Sequence, residues 1–585
     1  MSRPTHLTKE DLRQFISCEM KVIHRWSELT SKNDDDAFLK FLTAEGETVG
    51  RTARRLFRNL VLINEGFEEA ENSTRELLNI PSITLAESAF SWGPWRIRPD
   101  IISYDQDTIT VHEVKAKTFS VEKHREGSEF LIFTGEIRSA WREILYDLAI
   151  QVVILERLFP ERKIHGRLIL PAEEYEVTEE ESLFASSGNE PRVIAEPAEI
   201  LTRRKESVLR IVNPGKALDL AKDLVIDSMA ALELVRAGTT HPETTLRYQC
   251  RNCEYRLANG RDPNDGFHRC WGELANPDPH LFDLHQLYQI GGQASFANQQ
   301  ISQGKTKLLS VSNEDLRGSP YEAKQKLQLE GLRTGKEWLS ESLAKILPNL
   351  EYPLRFLDFE TTMAAIPWFE NLRPYEVLPI QFSQHTLDES QNLQHEEWLQ
   401  TGVDNPILPF AQALLSAIGE SGHILIYTDY EIRVLRGTVD FLRRSGEGEK
   451  EAQSVEELLG SGRIIDQHDL LYRHYHHPLM GGKTSLKNVA DAIWRGSAET
   501  RSNPWFREWG SKTKSPYQSL PELNIRGKTL RIADGCGAMS GYSELSRGGH
   551  SKTDQERIRT AMLRYCELDT LCQVMIHEHW TNRAQ

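Results

Sequence analysis

The chain has 585 residues, of which 39% are hydrophobic and 27% charged, and its formal net charge at pH 7 is −16. This composition can bury a sizeable core, which excludes a disordered chain and a small scaffold held by disulfides. No apolar run reaches the roughly 18 residues of a membrane span, and the N-terminus lacks the apolar core of a secretory signal. We therefore expect a cytoplasmic protein with no membrane partner.

The negative charge is unevenly distributed along the chain. Residues 171–200 contain nine acidic residues and one basic residue, which is half of the net imbalance. We interpret this segment as an acidic surface insertion. Residues 461–530 have the opposite bias, with 11 lysines and arginines against six acids. Because the distribution of charge matters more than its sum, the total does not exclude a nucleic-acid partner.

The first predicted elements are two helices. Thr8 precedes Glu10, Asp11 and an apolar series, so it is expected to cap a helix. A second helix is predicted over residues 49–62. The basic residues on one side of that helix are Arg51, Arg54, Arg55 and Arg58. They form either a solvated helix face or a surface for phosphates, and the sequence leaves both interpretations open.

A predicted β-hairpin carries the first group of candidate catalytic residues. Its strands, residues 95–103 and 109–117, are separated by a polar turn. Asp100 lies late in the first strand, while Glu113 and Lys115 share one face of the second, because side chains alternate along a strand. Two carboxylates beside an ammonium can bind a divalent cation while the lysine neutralises charge on a phosphate. The same residues also fit an exposed, salt-bridged hairpin.

Two further features accompany this hairpin. A helix predicted over residues 140–158 places Gln151 beside its apolar stripe, one turn after Asp147. The seven cysteines are too few, and odd in number, for a disulfide framework. Four of them could bind a metal if the fold brings the two ends of this half together, and zinc is the generic expectation, with unrelated buried cysteines as the alternative. These four are Cys18, Cys250, Cys253 and Cys270.

The first half resembles the iron-sulfur branch of the RecB-type PD-(D/E)xK nucleases. The features that it shares with this branch are a cysteine that closes an N-terminal helix, a D…ExK group, a glutamine-bearing helix, and a C-x-x-C followed by a last cysteine. This branch includes the CRISPR-associated iron-sulfur exonucleases and the nuclease domain of the AddAB helicase-nuclease. The resemblance covers roughly residues 1–275 and implies a restriction-endonuclease-like α/β domain. It implies that the four cysteines bind a [4Fe-4S] cluster and that Asp100 and Glu113 bind metal. The catalytic residues that it implies are Asp100, Glu113, Lys115 and Gln151.

Two positions depart from this family. The histidine of its G-x-x-x-H element is replaced by Gly50, and Glu47 or Glu87 is the candidate substitute. The tyrosine of its Q-x-x-x-Y element is replaced by Leu155, so that only Gln151 carries over. The number of metal ions at this first site is therefore open.

The second half of the chain carries a separate group of acids. In the predicted strand LRFLDFETT, Asp358 and Glu360 project to one side, and paired acids repel unless a cation or proton separates them. A later strand runs into a helix that offers Glu431, with Asp429 as the competitor. The last helix places Tyr565 and Asp569 on one face. Four carboxylates can hold two metal ions for in-line attack of water on a phosphodiester.

The order D-x-E, an acid after tyrosine, then Y-x-x-x-D resembles the DnaQ-type (DEDD) 3′-to-5′ exonucleases of the tyrosine subclass, which have an RNase H-like fold. The resemblance covers about residues 351–577. It implies that Tyr565 orients the nucleophilic water, although Glu431 stands where aspartate is more usual. The metal ligands that it implies are Asp358, Glu360, Glu431 and Asp569. The joint architecture also resembles bacterial proteins that fuse an iron-sulfur RecB-type domain to an RNase H-like exonuclease domain.

The segment between the last two of these motifs is basic and contains GGKTS. A phosphate-binding P-loop is rejected because His477 occupies the position where Walker A requires glycine. The basic residues here either face phosphates or form a solvated surface. They are Arg473, His474, Lys483 and Lys487.

The sequence thus predicts an α/β chain in three parts. These are an iron-sulfur PD-(D/E)xK nuclease domain at 1–285 with the insertion at 171–200, a connector at 286–350, and an RNase H-like DEDD exonuclease domain at 351–585. The predicted function is a metal-dependent exonuclease with two phosphodiesterase sites, a [4Fe-4S] cluster and Mg²⁺ or Mn²⁺, acting on DNA ends or single strands in DNA repair or antiviral defence. RNA is not excluded. The alternatives are one active domain beside a nucleic-acid-binding platform, and a non-catalytic nucleic-acid-binding scaffold.

Overall fold

The computed structural model describes residues 3–105, 107–179, 181–182, 207–257, 262, 264–402, 404–547 and 549–584. Two mixed sheets, one of six strands and one of five, are covered by helices, so the chain is an α/β protein. Most of the predicted acidic insertion, from residue 183 onward, lies outside the described residues. Within the described part of the chain, none of the helices combines the length and apolar composition that a membrane span requires.

The six-stranded sheet and its helices lie in the first half of the chain. The strands of this half are β1 (Leu60–Leu62), β2 (Ile83–Ala86), β3 (Phe90–Trp92), β4 (Trp95–Ile97), β5 (Ile101–Tyr104), β6 (Thr108–Val114), β7 (Lys163–Pro171) and β8 (Leu209–Val212). The helices are α1 (Lys9–Ser17), α2 (Glu19–Trp26), α3 (Ala37–Arg54), α4 (Phe67–Leu77), α5 (Val121–Arg125), α6 (Arg142–Leu158), α7 (Lys216–Ala237) and α8 (Gly266–Trp271).

The strand order of this sheet is β1-β2-β5-β6-β7-β8. The predicted hairpin is confirmed as β5 and β6, which pair antiparallel with Ile101 opposite His112. Its first strand is interrupted between β4 and β5, where Pro99 cannot donate a ladder hydrogen bond. β6 runs parallel to β7, and α6 is the crossover that joins them.

The two predicted N-terminal helices have different outcomes. Thr8 caps α1 as predicted, because its hydroxyl accepts from the Asp11 backbone N–H and the Asp11 carboxylate accepts from the Thr8 N–H. The helix predicted over residues 49–62 was placed wrongly. The helix in this region is α3, which begins earlier, at Ala37, and ends at Arg54. Beyond it, Asn59 takes a left-handed φ of +56°, and the apolar residues that follow form β1, which pairs with β2.

The second half of the chain contains the five-stranded sheet and the longest helix. Its strands are β9 (Trp338–Leu339), β10 (Leu354–Thr362), β11 (Leu378–Leu387), β12 (Leu393–Leu399), β13 (Ile424–Ile426), β14 (Ile464–Asp466), β15 (Tyr475–His476), β16 (Glu522–Ile525) and β17 (Lys528–Arg531). Its helices are α9 (Ser295–Ser302), α10 (Glu322–Thr334), α11 (Glu341–Ile346), α12 (Ile407–Ala417), α13 (Tyr430–Ser445), α14 (Glu449–Gly460), α15 (Gln467–His474), α16 (Leu486–Gly496), α17 (Ala498–Ser502), α18 (Gly535–Arg547) and α19 (Lys552–Ala584).

The strand order of the second sheet is β12-β11-β10-β13-β14. β10, β11 and β12 are antiparallel neighbours, whereas β13 and β14 extend the sheet in parallel to β10. The strand predicted from LRFLDFETT is confirmed as β10, the central strand. α19 packs across β10 and β11, and the Phe356 ring on β10 lies 5.6 Å from the His577 ring on α19. This packing brings the middle of α19 against the middle of the sheet.

Two smaller buried clusters lie outside the cores of the two sheets. Phe267, Trp271 and Phe282 pack with Leu308 and Leu329, so the segment between the sheets has a core of its own. A second cluster contains side chains from α3 and β5 of the first half together with Ala365 and Ile366, which follow β10.

A backbone hydrogen bond fixes this contact between the halves. The N–H of the fully buried Ala365 donates to Oε2 of Glu45 on α3, at 2.7 Å. Glu45 is itself only 2% exposed. An unpaired buried donor costs about 1–3 kcal/mol, so this bond holds the loop after β10 on α3.

We expect Glu45→Ala to lower the melting temperature, because it leaves the Ala365 N–H unpaired at a cost of about 1–3 kcal/mol. Amide hydrogen exchange around Ala365 should accelerate, as measured by mass spectrometry. Glu45→Gln keeps a carbonyl oxygen in place and is the matched control. Equal exchange in the alanine variant and in the unchanged protein would contradict this role.

Candidate active site

Three elements bring the four carboxylates of the second half together. β10 carries Asp358 and Glu360 on the face that α19 covers, α13 carries Glu431 in its first turn, and α19 carries Asp569 near its middle. Glu360, Glu431 and Asp569 are 6%, 3% and 5% exposed, and Asp358 is half-buried. The predicted residues therefore form one buried group of acids.

Burial and mutual repulsion raise the pKa values of these acids. Desolvation, followed by the charge of Asp569, raises the pKa values of Asp358 and Glu360 well above their ordinary range. Desolvation is also the main cause that raises the pKa of Glu431 to about 8. Among the described residues, the buried Oε2 of Glu431 has no hydrogen-bond partner. Four carboxylates with an unpaired buried oxygen fit a hard divalent cation such as Mg²⁺ or Mn²⁺.

Three other side chains border the acids. Tyr565 forms a hydrogen bond with Asp569, and the Tyr517 hydroxyl donates to Oδ1 of the same carboxylate. The Lys487 ammonium lies 5.0 Å from the centre of the Tyr565 ring and 5.3 Å from that of Tyr517. Burial raises the pKa of Asp569, and the Lys487 charge opposes that rise. The sequence predicted Tyr565, left the role of Lys487 open and gave no sign of Tyr517.

The choice between Asp429 and Glu431 is clear from their exposure. Asp429 precedes α13, its side chain is 68% exposed, and its carboxylate pairs with Arg433 at 3.4 Å. Glu431 is buried beside the other acids. One further residue missed by the sequence reasoning is Cys566, whose Sγ lies 3.7 Å from Oδ2 of Asp358. Its position one residue after Tyr565 on α19 was the available signal.

The first predicted site is an ion-pair network around Glu113. Glu113 is 1% exposed, and its Oε1 accepts from Lys115 at 2.8 Å and from Lys9 at 3.0 Å. Its Oε2 accepts from Gln151 Nε2 at 2.6 Å. Lys115 also pairs with Asp147 at 2.8 Å. The structure thus brings Glu113, Lys115 and Gln151 together, and it adds Lys9 and Asp147.

Asp100 lies next to this network at the wall of an open pocket. The Val114 N–H donates to its Oδ2 at 2.7 Å. Desolvation and the charge of Glu113 raise the pKa of Asp100 to about 7. Burial would also raise the pKa of Glu113, but the two lysines outweigh it and hold that pKa well below its usual range. The pocket has a volume of about 420 Å³, and its charged wall residues are Glu47, Arg51, Arg54, Glu87 and Asp100.

Both candidate substitutes for the missing histidine line this pocket. The Glu87 carboxylate is already paired with Arg54 at 3.1 Å and with Arg98 at 3.4 Å. Glu47 is exposed, one turn before Gly50. A Cβ atom added at Gly50 would meet no atom within 4 Å. Glu47 is therefore the better placed of the two acids to join Asp100.

The four cysteines predicted as ligands line one pocket. Cys18 stands between α1 and α2, while Cys250, Cys253 and Cys270 come from the segment that ends in α8. Burial, followed by the neighbouring Cys18, raises the pKa of Cys270 to about 12. His24 also reaches this pocket, with its Nε2 3.2 Å from the Cys270 sulfur. The fold therefore brings the two ends of the first half together at these sulfurs.

The spacing of the sulfurs bears on which metal they fit. Among the described residues, no three of these thiols lie within 4.8 Å of one another. A single zinc ion with Zn–S bonds of about 2.3 Å holds its thiolates roughly 3.8 Å apart. A cluster of several irons gives each thiolate its own metal atom and spaces the sulfurs more widely.

The candidate basic residues differ in whether they lie near the acids of the two candidate sites. Arg51 and Arg54 line the pocket of Asp100. In the second half, Arg473 is exposed and pairs with Asp469 at 2.9 Å, whereas Lys487 reaches the buried acids. Lys483 is exposed, and His474 contacts the Ser340 hydroxyl at 2.9 Å.

Comparison with known protein families gives a match in the second half of the chain. The model of a domain of unknown function (DUF2779) matches residues 355–485. The matched segment begins in β10 and ends just before α16, so it includes Asp358, Glu360 and Glu431 but neither Tyr565 nor Asp569. No curated protein and no solved structure matches the chain.

The raised pKa values predict how stability depends on pH. The unfolded chain ionises Glu431 near pH 4.5, but the folded protein keeps it protonated to about pH 8. Stability from this group is thus present below the unfolded value and is lost as pH rises through the folded value, by at most about 1.4 kcal/mol per pH unit. Without divalent cations, the melting temperature should fall between about pH 5 and pH 8.

Mn²⁺ should reverse this loss, because bound cations require ionised carboxylates. We expect the rise in melting temperature on adding Mn²⁺ to be larger at high pH than at low pH. Glu431→Gln should flatten both dependences, and differential scanning fluorimetry measures them. If the melting temperature of the metal-free protein rises over this pH range, the buried acids do not have the raised pKa values described above.

Proposed function

We propose that the protein is a Mg²⁺- or Mn²⁺-dependent exonuclease that hydrolyses phosphodiester bonds of DNA at ends or in single strands. One observation carries this proposal: four carboxylates, three of them buried and Asp358 half-buried, meet beside Tyr565 and Lys487. Four acids with raised pKa values are costly to bury together, and two divalent cations would offset that cost. The four acids are Asp358, Glu360, Glu431 and Asp569.

The arrangement of the second sheet supports an RNase H-like domain. Three antiparallel strands are extended by two parallel ones, and the first two acids lie on the central strand. The last acid comes from a helix packed across that strand, as the DEDD resemblance implies. The matched domain of unknown function covers this sheet from β10 to β14 and includes three of the acids.

Each side chain has a distinct role in the proposed reaction. When bound, the cations supply an activated hydroxide and neutralise charge on the scissile phosphate. Tyr565, held by Asp569, orients the attacking water. Tyr517 donates to the same carboxylate and fixes its rotamer. Lys487 provides a fixed positive charge near the phosphate, where negative charge increases in the transition state.

For the first half, we propose a RecB-type PD-(D/E)xK site. The assembly of Glu113, Lys115 and Gln151, with Asp100 at the pocket, supports it. A specific observation favours the alternative, a nucleic-acid-binding platform. Both oxygens of Glu113 already accept hydrogen bonds, and glycine replaces the expected histidine at position 50. On this alternative, Arg51 and Arg54 bind the phosphates of the same strand.

We further propose that the four cysteines bind a [4Fe-4S] cluster. The support is the pocket that the four cysteines share, in which, among the described residues, no three of the sulfurs lie within 4.8 Å of one another. Such a cluster would join α1 and α2 to the segment around α8 and close the first domain.

Asp569→Asn should reduce release of nucleotides from 3′-labelled single-stranded DNA by about 10²-fold or more, because it removes a metal ligand. Glu431→Gln should have a similar effect, whereas Asp429→Asn, on the exposed side of the same helix start, should leave the rate within about twofold. Lys115→Met tests the first site separately.

The combination of variants separates the alternatives. If Lys115→Met leaves all digestion unchanged while Asp569→Asn abolishes it, the first domain is the binding platform. Unchanged digestion of labelled DNA and RNA by both variants and by the double variant would overturn the nuclease proposal.

Protein purified without oxygen should be brown and contain about four irons per chain. Cys270→Ser should lose the charge-transfer absorbance, whereas Cys536→Ser, at a half-buried cysteine outside this pocket, should keep it. Iron analysis and visible absorbance measure both outcomes. Colourless protein with one zinc in the cysteine pocket would contradict the cluster.

A further inference from the structure

A second group of side chains with metal-ligand chemistry lies at another position on the second sheet. His385 is on β11, His395 is its partner on β12, and Glu567 is on α19. One ligand atom from each lies within 4.8 Å of the other two. The two imidazole centres are 4.6 Å apart, and His395 Nδ1 is 3.9 Å from Oε1 of Glu567. None of these residues belongs to the proposed nuclease sites.

Two hydroxyl groups hold the imidazoles in place. Nδ1 of His385 lies 2.8 Å from Oγ1 of Thr570, and Nε2 of His395 lies 2.9 Å from Oγ of Ser383. The two hydroxyls contact each other at 2.9 Å. This leaves Nε2 of His385 and Nδ1 of His395 for a metal. Histidine ligands of metals typically donate their other ring N–H to such a neighbour, which fixes ring and tautomer.

We propose that His385, His395 and Glu567 bind one Zn²⁺ ion. Two imidazoles and one carboxylate suit zinc, and they leave a fourth tetrahedral position for water. The nuclease acids offer carboxylate oxygens without an imidazole, which suits Mg²⁺ or Mn²⁺, so the two sites would favour different metals. This proposal does not depend on the nuclease activity.

The position of the site gives it a structural role. Glu567 precedes Asp569 by two residues on α19, and Thr570 lies on the same helix. A zinc ion bound here would link α19 to β11 and β12. It would thereby fix the position of α19 along the sheet, and with it the position of Asp569 beside β10. Zinc would then stabilise the folded chain in proportion to its affinity.

The test is zinc binding by the full-length protein after dialysis against excess Mg²⁺, which occupies the carboxylate group. Glu567→Gln and His395→Ala should each contain one zinc fewer per chain than the unchanged protein. The double variant His165→Ala/His241→Ala removes two exposed histidines and should lose none. Zinc should raise the melting temperature of the unchanged protein more than that of Glu567→Gln.

A conservative variant shows whether a loss of zinc in the ligand variants comes from the site itself or from misfolding. Ser383→Ala keeps all three ligands and should weaken zinc binding about 10–100-fold, because the His395 ring loses its hydrogen-bond partner. Cobalt in this site should give visible d–d bands without thiolate charge transfer, which distinguishes it from metal at the cysteines. An equal zinc content in all variants, or no zinc in the unchanged protein, would overturn the proposal.

Discussion

Desolvation and mutual repulsion of four clustered carboxyl groups, three of them buried, are the constraint around which the second half of the chain is built. Burying several acids together is unfavourable unless protons or cations separate them. The sheet nevertheless places two of them on its central strand, and α19 covers them with a third. Lys487 and the two tyrosines partly compensate that charge, and the raised pKa values show that the compensation is incomplete. A packed core with no further purpose would place apolar residues there.

The two groups of acids are connected through the contact between the halves, in which β10 and its following loop meet α3. β10 carries Asp358 and Glu360, and the loop that follows it rests on α3 through the bond from Ala365 to Glu45. The last turns of α3 form a wall of the pocket of Asp100. A shift of α3 would therefore change the positions of side chains at both sites. In the proposed nuclease, this contact would couple the position of α3 to the loop after β10.

Local sequence patterns predicted those parts of the molecule that depend on local geometry. The alternation of Asp358 and Glu360 on a strand and the capping of α1 by Thr8 follow from neighbouring residues alone. Contacts over long separations were not predictable. Lys9 joins Glu113 across 104 residues, and Tyr517 joins Asp569 across 52. The error at residues 49–62 has the same origin, because a short apolar run fits a helix or a strand until its partner strand is known.

The donor atoms at three of the proposed metal sites explain how one chain could keep its metals apart. The first half offers four sulfurs, the sheet centre offers oxygens, and the sheet edge offers two imidazoles and a carboxylate. Soft thiolates select iron-sulfur clusters, hard oxygens select Mg²⁺ or Mn²⁺, and imidazoles suit zinc. In the proposed nuclease, carboxylates that bind cations would account for part of the net charge of −16. Each carboxylate that binds a cation loses its repulsion toward a phosphate backbone, so an acidic chain can still bind a polyanion at its sites.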